Sequence, residues 1–555
     1  MSNMVSQPQL RILSWLNNYP SSLEKEWDVT RAISLPGISE GLGVVRSALS
    51  SPLTYLEQDG LITKRMAHVI GGGSRRRQVY HITIDGRQLV EKSNFVQENV
   101  NFANEILGEV PSMGEIFGRE DEVANCLQIL ESNSLIISGM PGIGKTAFAY
   151  KLIRELSKNK LVRWSTANKF ADYSTICKQW EFTATMPRDV ESISLKFSNK
   201  EEILILDDYN SISNRHIEKV NHLIESIAKI DKMKLIIITR ELSVTLDSFE
   251  NFKLGPLDIN SCCSMLGDES KLSDRQNIAR SLGCHPLALK LYQPEFNVPE
   301  LNSDIINYVD KVVLQNLDKS NRQLVSLLSI EPFPVNSERS IIVDKIDIFD
   351  DQNLLKWYNG NKLELQHLIR NVTRSNLTDK ERELYHAKLV SHWENYSNEI
   401  ESNLYLYHLA QVDASSFIEL LSSSLSNKVV FDSAAVAVIV NQLIQQRGDD
   451  KELRYLACRI SAHRFEAEEL RNNINYLEGS RLIEMKFKLA ELDGRKEDCE
   501  LMIEDLLEQF SPFQKNQFLI SMASQFVDDR LPNQKIPTQS VVKAQSYLEM
   551  MDLKN

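Results

Sequence analysis

The sequence predicts a multidomain protein in which a central α/β domain with a parallel sheet lies between a small mixed N-terminal domain and an α-helical C-terminal region. Three observations support this prediction. A glycine-rich loop separates a short apolar run, residues 135–138, from a helical pattern that begins near residue 145. Two later apolar runs, 203–206 and 235–238, each end in polar or charged residues, as buried parallel strands do at their ligand-binding edge. Beyond residue 400 the sequence reads as helical throughout.

Length and composition narrow the class of protein. A chain of 555 residues is too long for one hydrophobic core, and 42% hydrophobic with 25% charged residues is ordinary for a folded soluble protein. The sequence has no apolar run long enough to cross a bilayer and no signal peptide at its start. Its seven cysteines form no C-x-x-C pair, which predicts reduced thiols. We therefore expect a cytoplasmic protein with no membrane partner.

The negative charge is unevenly distributed. The net charge is -13, but residues 1–95 contain 11 Lys or Arg and 8 Asp or Glu, so this segment carries +3 and the remainder -16. Because nucleic acids are polyanions, only the N-terminal segment is a candidate for binding them.

Residues 1–95 follow the element order of a winged helix–turn–helix domain. A helix from Pro8 is followed by a short helix at 38–43 and by a helix that starts at Val44, and then by strands at 61–67 and 78–83. The segments "GISEGLGVVRSALSSPLTYLEQDGLITKR" and "GGGSRRRQVYHIT" resemble winged-helix domains of prokaryotic, especially archaeal, transcription regulators. This resemblance implies that double-stranded DNA is the partner. Base edges would be approached by Arg46, Ser47, Ser50 and Ser51, and phosphates would be held by Arg75, Arg76 and Arg77.

One observation and one alternative interpretation leave the DNA assignment open. Pro52 removes a helical N–H, so the recognition helix is expected to kink or to restart there with Ser51 as its cap. A winged helix that binds another protein, with its arginines simply solvated, is the alternative.

A polar helical linker, residues 96–112, leads to a phosphate-binding P-loop. Residues 139–146, "GMPGIGKT", match G-x-x-x-x-G-K-[ST] between a strand and a helix. Such a loop turns successive N–H groups and a helix N-terminus toward an anion. Lys145 would supply a charge to the terminal phosphates, and Thr146 a hydroxyl to Mg²⁺. The predicted nucleotide-binding residues of this segment are Gly139, Pro141, Gly142, Ile143, Gly144, Lys145, Thr146 and Ala147.

Two further strand ends complete the predicted catalytic set. Asp207 and Asp208 follow the apolar run at 203–206, which predicts a Walker B site in which Asp207 orients the magnesium shell and Asp208 polarises the attacking water. Arg240 follows the run at 235–238 and is predicted to sense the γ-phosphate.

The segments "FGREDE", "GMPGIGKT", "LILDDY", "LIIITR" and "GCHPLAL" occur in the order typical of STAND signalling ATPases, which include the NB-ARC proteins. The resemblance covers roughly residues 113–375. It implies an NTPase domain at 113–257, a helical lid at 258–300 and a second winged helix at 301–400. It also implies an ADP-bound closed form that opens on binding ATP and a signal and then forms a homo-oligomer.

The same resemblance carries three residue roles to this chain. Arg119 would lie near the nucleotide, Pro286 would pack on the adenine, and His367 would touch the ADP β-phosphate. The acidic residue that usually follows this histidine in plant and animal members is Leu368 here.

Residues 401–555 read as a helical domain similar to tetratricopeptide repeats, although they have no strict period. Stacked helix pairs would offer a concave surface to an unknown signal ligand or protein. A plain α-helical packing domain is the alternative.

These features favour a nucleotide-switched, DNA-binding transcription regulator whose slow ATP hydrolysis resets the switch. The second hypothesis is a defence or stress sensor in which the ATP-driven oligomer is the output and the N-terminal domain binds a partner or foreign nucleic acid. A replication initiator-type ATPase ranks lower, because that class places its DNA-binding winged helix after the ATPase.

Overall fold

The computed structural model describes residues 5–551 apart from 70–75, 93–105, 109, 112, 158–159, 182–189, 191–196, 198–199, 231, 241–245, 247, 269, 293–304, 359–360, 397, 424–432, 449 and 526–537. The chain forms two compact units, Met1–Val412 and Asp413–Asn555. Within the described ranges, every helix is too short or too polar to span a membrane.

The head domain, residues 5–92, has its own hydrophobic core. Its sheet has the order β1-β2-β3, with β1 parallel and β3 antiparallel to β2. Helix α2 begins where Ser34 Oγ accepts a hydrogen bond from the Gly37 N–H, and it ends at Gly43, whose φ of 68° requires a left-handed conformation. The elements are α1 (Gln7–Asn17), β1 (Asp28–Val29), α2 (Leu35–Leu42), α3 (Ser50–Gln58), β2 (Ile62–Val69), β3 (Arg76–Ile82) and α4 (Ile84–Lys92).

The segment predicted as one recognition helix is divided. Residues Arg46–Leu49 form a 3₁₀ turn, and α3 starts at Ser50 with Leu49 in the N-cap position. Ser51 therefore lies in the first turn of α3, and the prediction that it caps the helix is wrong. Pro52 is accommodated because the N–H groups of the first helical turn have no intrahelical partner.

The three arginines predicted to hold phosphate do not share one environment. Arg75 lies outside the described residues, whereas Arg76 is exposed at the start of β3 and its guanidinium lies 4.1 Å from the ring centre of Trp27. Arg77 is buried. Neighbouring side chains of a strand point to opposite faces, so Arg76 and Arg77 are directed apart.

The central domain is a six-stranded parallel sheet with the order β4-β6-β7-β8-β5-β9. Residues of β5 and β7 are all buried, in agreement with the continuous apolar runs. The strands are β4 (Ile106–Gly108), β5 (Ser134–Ser138), β6 (Leu161–Thr166), β7 (Glu202–Asp207), β8 (Lys234–Ile238) and β9 (Phe249–Lys253). The helices are α5 (Glu120–Ser132), α6 (Lys145–Leu156), α7 (Tyr173–Gln179) and α8 (Asn214–Ala228).

Strand β4 corrects the predicted helical linker. Residues 106–108 lie within the segment 96–112, yet they pair in parallel with 162–164 at one edge of the sheet. The glycine in this short strand contributes no apolar side chain, so the segment gave no strand pattern. The part of the linker at 93–105 lies outside the described residues.

Two further regions follow the sheet within the same compact unit. The lid region comprises α9 (Ile259–Met265), α10 (Leu272–Ser281) and α11 (Pro286–Leu291). The second small domain, residues 305–396, has an antiparallel sheet with the order β10-β12-β11. Its elements are α12 (Ile305–Tyr308), α13 (Lys319–Ser329), β10 (Val335–Asn336), α14 (Ile346–Asp351), β11 (Leu355–Tyr358), β12 (Lys362–Leu365), α15 (His367–Asn376) and α16 (Asp379–Trp393).

The remaining described elements are helices, as predicted beyond residue 400. Helix α17 (Glu399–Val412) packs on α16 and belongs to the first compact unit, so the boundary between units lies after Val412 rather than after residue 400. The second unit contains α18 (Ala414–Ser423), α19 (Ala434–Arg447), α20 (Lys451–His463), α21 (Ala467–Ile474), α22 (Gly479–Leu492), α23 (Lys496–Gln509), α24 (Pro512–Gln525) and α25 (Thr538–Glu549). Sequential pairs such as α20 with α21 and α22 with α23 pack together.

Candidate functional site

The loop between β5 and α6 has the backbone geometry of a phosphate cradle. Gly142 and Gly144 have φ values of 80° and 94°, a region that side-chain-bearing residues rarely adopt. A Cβ on Gly142 would also lie 2.7 Å from Cε1 of His285. Gly144 is the N-cap of α6, so the first N–H groups of a twelve-residue helix point into the loop. This arrangement can bind an anion.

Two side chains at the start of α6 are directed into the site. The Lys145 ammonium donates hydrogen bonds to the carbonyls of Gly139, at 2.7 Å, and Met140, at 3.0 Å. Burial lowers the pKa of Lys145 to about 8, against an opposing effect of Asp207. Thr146 Oγ1 donates to Asp207 Oδ2 over 2.9 Å. A hydroxyl next to a carboxylate is a suitable pair of oxygen donors for Mg²⁺.

Asp207 ends β7 as a buried carboxylate. Its Oδ1 accepts a hydrogen bond from the main-chain N–H of Asp208 over 2.8 Å. Burial raises the pKa of Asp207, although the charge of Lys356 acts in the opposite sense. A divalent cation would relieve the unfavourable burial of this negative charge.

Asp208 has a different environment from its neighbour. Burial alone would raise its pKa, but the charges of His367, Arg240 and Lys356 outweigh burial and lower it. Oδ1 lies 3.6 Å from Arg240 Nη2, and Oδ2 lies 3.6 Å from His367 Nε2. Asp208 is therefore an ionised carboxylate that can orient a water molecule but accepts a proton weakly.

Arg240 and His367 connect the central sheet to the second small domain. Arg240 Nη2 donates to Nδ1 of His367 over 3.1 Å. The other ring nitrogen of His367 donates to Oε1 of Glu364 over 3.1 Å. Glu364 Oε2 in turn accepts from Arg370 over 2.8 Å, and the Tyr358 hydroxyl bonds to Oε1. Burial opposes the charge of Glu364, but Arg370 and His367 hold its pKa well below the usual range.

The lid region contacts the loop through His285 and the residues that follow it. His285 Nε2 donates to the carbonyl of Pro141 over 3.0 Å, and its Nδ1 accepts from the Ala288 N–H over 3.3 Å. Burial lowers the pKa of His285 to about 4, so the ring is neutral, as both hydrogen bonds require. Pro286 Cγ would lie 3.8 Å from a Cβ on Gly144. The lid is thus fixed to the phosphate loop by a buried polar contact.

The loop, the two aspartates, the lid and the second small domain enclose one cavity of about 250 Å³. The head domain forms a further wall of it through Arg31, Pro36, Ser39, Glu40, Val44, Val45 and Arg46, next to Met113 and Gly114. The second small domain contributes Asp350, Asn353, Leu355, Lys356, Trp357, Gln366 and His367.

Most of the predicted nucleotide-site residues line this cavity. They are Pro141, Gly142, Gly144, Lys145, Thr146, Ala147, Asp207, Asp208, Arg240, Pro286 and His367. Gly139 contributes its carbonyl to Lys145, and Ile143 is buried under the loop.

Arg119 does not line the cavity. Its guanidinium donates to the carbonyls of Gly255, at 2.7 Å, and Pro256, at 3.1 Å, and it pairs with Glu122. These contacts hold the segment that follows β9, so Arg119 stabilises the chain at this edge of the sheet.

Arg46 was predicted to approach DNA bases, but in the structure it lines the cavity. Arg46 and Arg77 both donate hydrogen bonds to Asp350 of the second small domain. Ser47, Ser50 and Ser51 lie in the same turn and helix start. In this structure the two arginines face protein, so the prediction that they face DNA is not met by this conformation.

Several residues that line the cavity belong to no motif of the sequence. Lys356 adds a cation from β11, and its Nζ lies 3.9 Å from Glu364. Arg31 and Glu40 come from the head domain, and no motif marks any of these three. His285 precedes the predicted Pro286, and its place at a helix N-cap was the one available signal.

Comparison with known proteins agrees with this geometry. Residues 117–282 match the model of a protein family described as Novel STAND NTPase 3. No curated protein matches the chain significantly. Residues 117–282 are therefore similar to a STAND-class P-loop NTPase domain, which implies nucleotide binding.

One solved structure supports the fold. A STAND protein with a tetratricopeptide repeat sensor from Pyrococcus horikoshii is similar with a TM-score of 0.54 at 15% identity, covering 81% of this chain and 72% of that chain. The Aeropyrum pernix ORC1 protein in complex with DNA matches with a TM-score of 0.21 at 13% identity over 47% of this chain and 93% of that one. Thermotoga maritima RuvB matches with a TM-score of 0.23 at 14% identity, over 47% of this chain and 96% of that one. The last two scores are too low to support an argument.

Proposed function

We propose that the protein is a signal-transducing ATPase that is switched between ADP-bound and ATP-bound states and acts as a DNA-binding transcription regulator. The observation that carries this proposal is the shared cavity. Lys145 of the loop, Pro286 of the lid, His367 of the second small domain and Glu40 of the head domain all line it. A nucleotide bound there would touch the loop, the lid, the second small domain and the head domain at once.

A nucleotide in this cavity would change the contacts between the domains according to whether it is ADP or ATP. ADP and ATP differ by one phosphate, and a ligand shifts a conformational equilibrium only through different affinity for the two states. The γ-phosphate would lie beyond the loop, where Asp208, Arg240 and His367 meet. Arg240 can turn from His367 toward the new phosphate, which weakens the contact to the second small domain.

Thr146 and Asp207 would hold Mg²⁺ and orient it on the phosphates. The metal would neutralise phosphate charge. Asp208 would orient the attacking water, and because its surroundings lower its pKa, it is a weak base. This property supports slow hydrolysis, suited to resetting a switch rather than to metabolic turnover.

The DNA-binding part of the proposal rests on the charge of +3 in residues 1–95 and on the exposed Arg76 beside Trp27. Its test is a titration of a mixed-sequence duplex with the full chain carrying ADP or a non-hydrolysable ATP analogue. We expect affinity in the ATP state to be about 10-fold higher, a common allosteric coupling, and to fall as salt rises. The absence of salt-dependent binding in both states would overturn the regulator function.

An oligomerising defence or stress sensor is the second candidate. It is favoured by the contacts of the buried Arg77 and the half-buried Arg46 with the chain itself, since a head domain that binds protein needs no exposed arginines. Light scattering separates the two functions. Large assemblies formed with the ATP analogue in the absence of DNA would favour the sensor.

A further inference from the structure

Three arginines of the head domain converge on one carboxylate of the second small domain. We call Arg31, Arg46, Arg77 and Asp350 the Asp350 cluster. Arg31 binds Asp350 through two hydrogen bonds, Nε to Oδ2 at 2.9 Å and Nη2 to Oδ1 at 2.7 Å. Arg77 Nη1 donates to Oδ2 over 3.0 Å, and Arg46 Nη2 donates to the main-chain carbonyl of Asp350.

Asp350 is fully used as an acceptor. Oδ1 also receives the indole N–H of Trp357 over 3.0 Å, so each carboxylate oxygen accepts two hydrogen bonds. A carboxylate offers about four acceptor positions, and all four are occupied. The burial of Asp350 opposes its charge, but Arg31 and the other two arginines hold its pKa far below the ordinary range.

The arginines, in contrast, are not saturated. Among the described residues, Nε and Nη1 of Arg46 and Nε and Nη2 of Arg77 are buried without a hydrogen-bond partner. In the part of the chain that the structure describes, Asp351 is the one additional carboxylate that pairs with Arg46, at 3.7 Å, and it is mostly exposed. Buried N–H groups without acceptors are costly, so the cluster holds more donor capacity than Asp350 can match.

We propose that Asp350 occupies the place of a nucleic-acid phosphate on the head domain, so that Arg46 and Arg77 bind a phosphodiester backbone only after the head domain leaves the second small domain. This inference rests on the proposed function. Successive phosphates present several oxygens to a guanidinium, which Asp350 cannot do. Double-stranded DNA is thus the partner that the uncovered surface fits.

The Asp350 cluster also forms part of the wall of the nucleotide cavity. Arg31, Arg46 and Asp350 all line that cavity. The Val45 N–H also donates to the Met265 carbonyl of the lid over 3.0 Å. The head domain therefore cannot leave Asp350 without opening one wall of the nucleotide site, so DNA binding would change the surroundings of the nucleotide.

The test is Asp350→Asn in the full chain with ADP, titrated against a labelled mixed-sequence duplex. Asparagine keeps a hydrogen-bond acceptor for Trp357 but removes the charge that holds three arginines. We expect DNA affinity at least 10-fold above the wild type in ADP, with a salt dependence steeper by about two phosphate contacts. Adding Arg46→Gln and Arg77→Gln should abolish the gain. Asp344→Asn, an exposed carboxylate just before the same helix and outside the cavity, is the matched control and should behave as wild type.

Arg31→Gln provides a second variant should Asp350→Asn fold poorly, because it removes the bidentate contact from the head side and should also raise DNA affinity. The inference is overturned when folded Asp350→Asn and Arg31→Gln bind DNA no better than the wild type in ADP while the wild type binds in the ATP state. That pattern leaves the regulator function standing. No binding by any form removes the DNA-binding function itself, and the inference with it.

Discussion

Replacing Lys145 with alanine is expected to abolish measurable nucleotide binding. The Lys145 ammonium is the charged group at the start of α6, with its Nζ 2.7 Å from the Gly139 carbonyl in the loop. Charge-assisted hydrogen bonds to two phosphates contribute about 1.5–3 kcal/mol each, so the dissociation constant should rise by at least about 100-fold. Isothermal titration with ADP and with an ATP analogue measures this change directly.

Lys151→Ala is the matched control for this variant. Lys151 lies on the same helix, but it pairs with Glu120 at 2.7 Å and donates to the Gly118 carbonyl, away from the cavity. Its replacement should leave nucleotide affinity unchanged. Wild-type affinity in folded Lys145→Ala would show that the nucleotide binds elsewhere.

Asp208→Asn is expected to separate binding from hydrolysis. The substitution keeps the size of the side chain but removes the charge that orients water and that Arg240 and His367 surround. ATP binding should stay within about threefold of the wild type, while single-turnover hydrolysis falls about 100-fold, because the attacking water loses the carboxylate that orients it. Quenched-flow measurement of phosphate release at saturating Mg²⁺ and ATP gives the rate.

Ser211→Ala tests whether the charge of Asp208, rather than its local packing, is responsible. Ser211 donates to Asp208 Oδ2 over 2.7 Å. Removing this hydrogen bond leaves the carboxylate in the cavity, so hydrolysis should change by less than about threefold. Equal losses of rate in Ser211→Ala and Asp208→Asn would contradict a direct role for the carboxylate.

The parts of the site that are local in sequence were predictable. The glycines at 142 and 144 and the lysine at 145 form a loop and a helix start within a few residues, so their geometry follows from short-range constraints. Asp207 and Asp208 were predictable because polar residues that follow a buried strand lie at the carboxyl end of the sheet, where ligands bind.

Residues that enter the cavity from distant segments were not predictable in the same way. Lys356 and Asp350 lie more than 200 residues from the loop, in elements whose sequences show no phosphate-binding pattern. His367 was reached only through a family resemblance, and its hydrogen bond to Arg240 depends on how two domains pack.

The prediction that Arg77 holds phosphate together with Arg75 and Arg76 did not take account of the alternation of side chains along a strand. Three consecutive arginines were assigned to one phosphate-holding surface, yet Arg77 lies within a strand, where side chains alternate. The alternation alone separates Arg76 from Arg77. It does not identify Asp350 as the partner of Arg77, because that contact spans 273 residues.

The central claim is that one bound nucleotide sets the contacts between the head domain, the lid and the second small domain. Amide hydrogen exchange on the full chain, with saturating ADP or a non-hydrolysable ATP analogue, tests it most directly. We predict faster exchange with the ATP analogue at 43–49, 355–358 and 362–367, where the domains meet, and unchanged protection in the buried strand Glu202–Asp207. Identical exchange at 43–49, 355–358 and 362–367 in both states, with full nucleotide occupancy, would contradict the account.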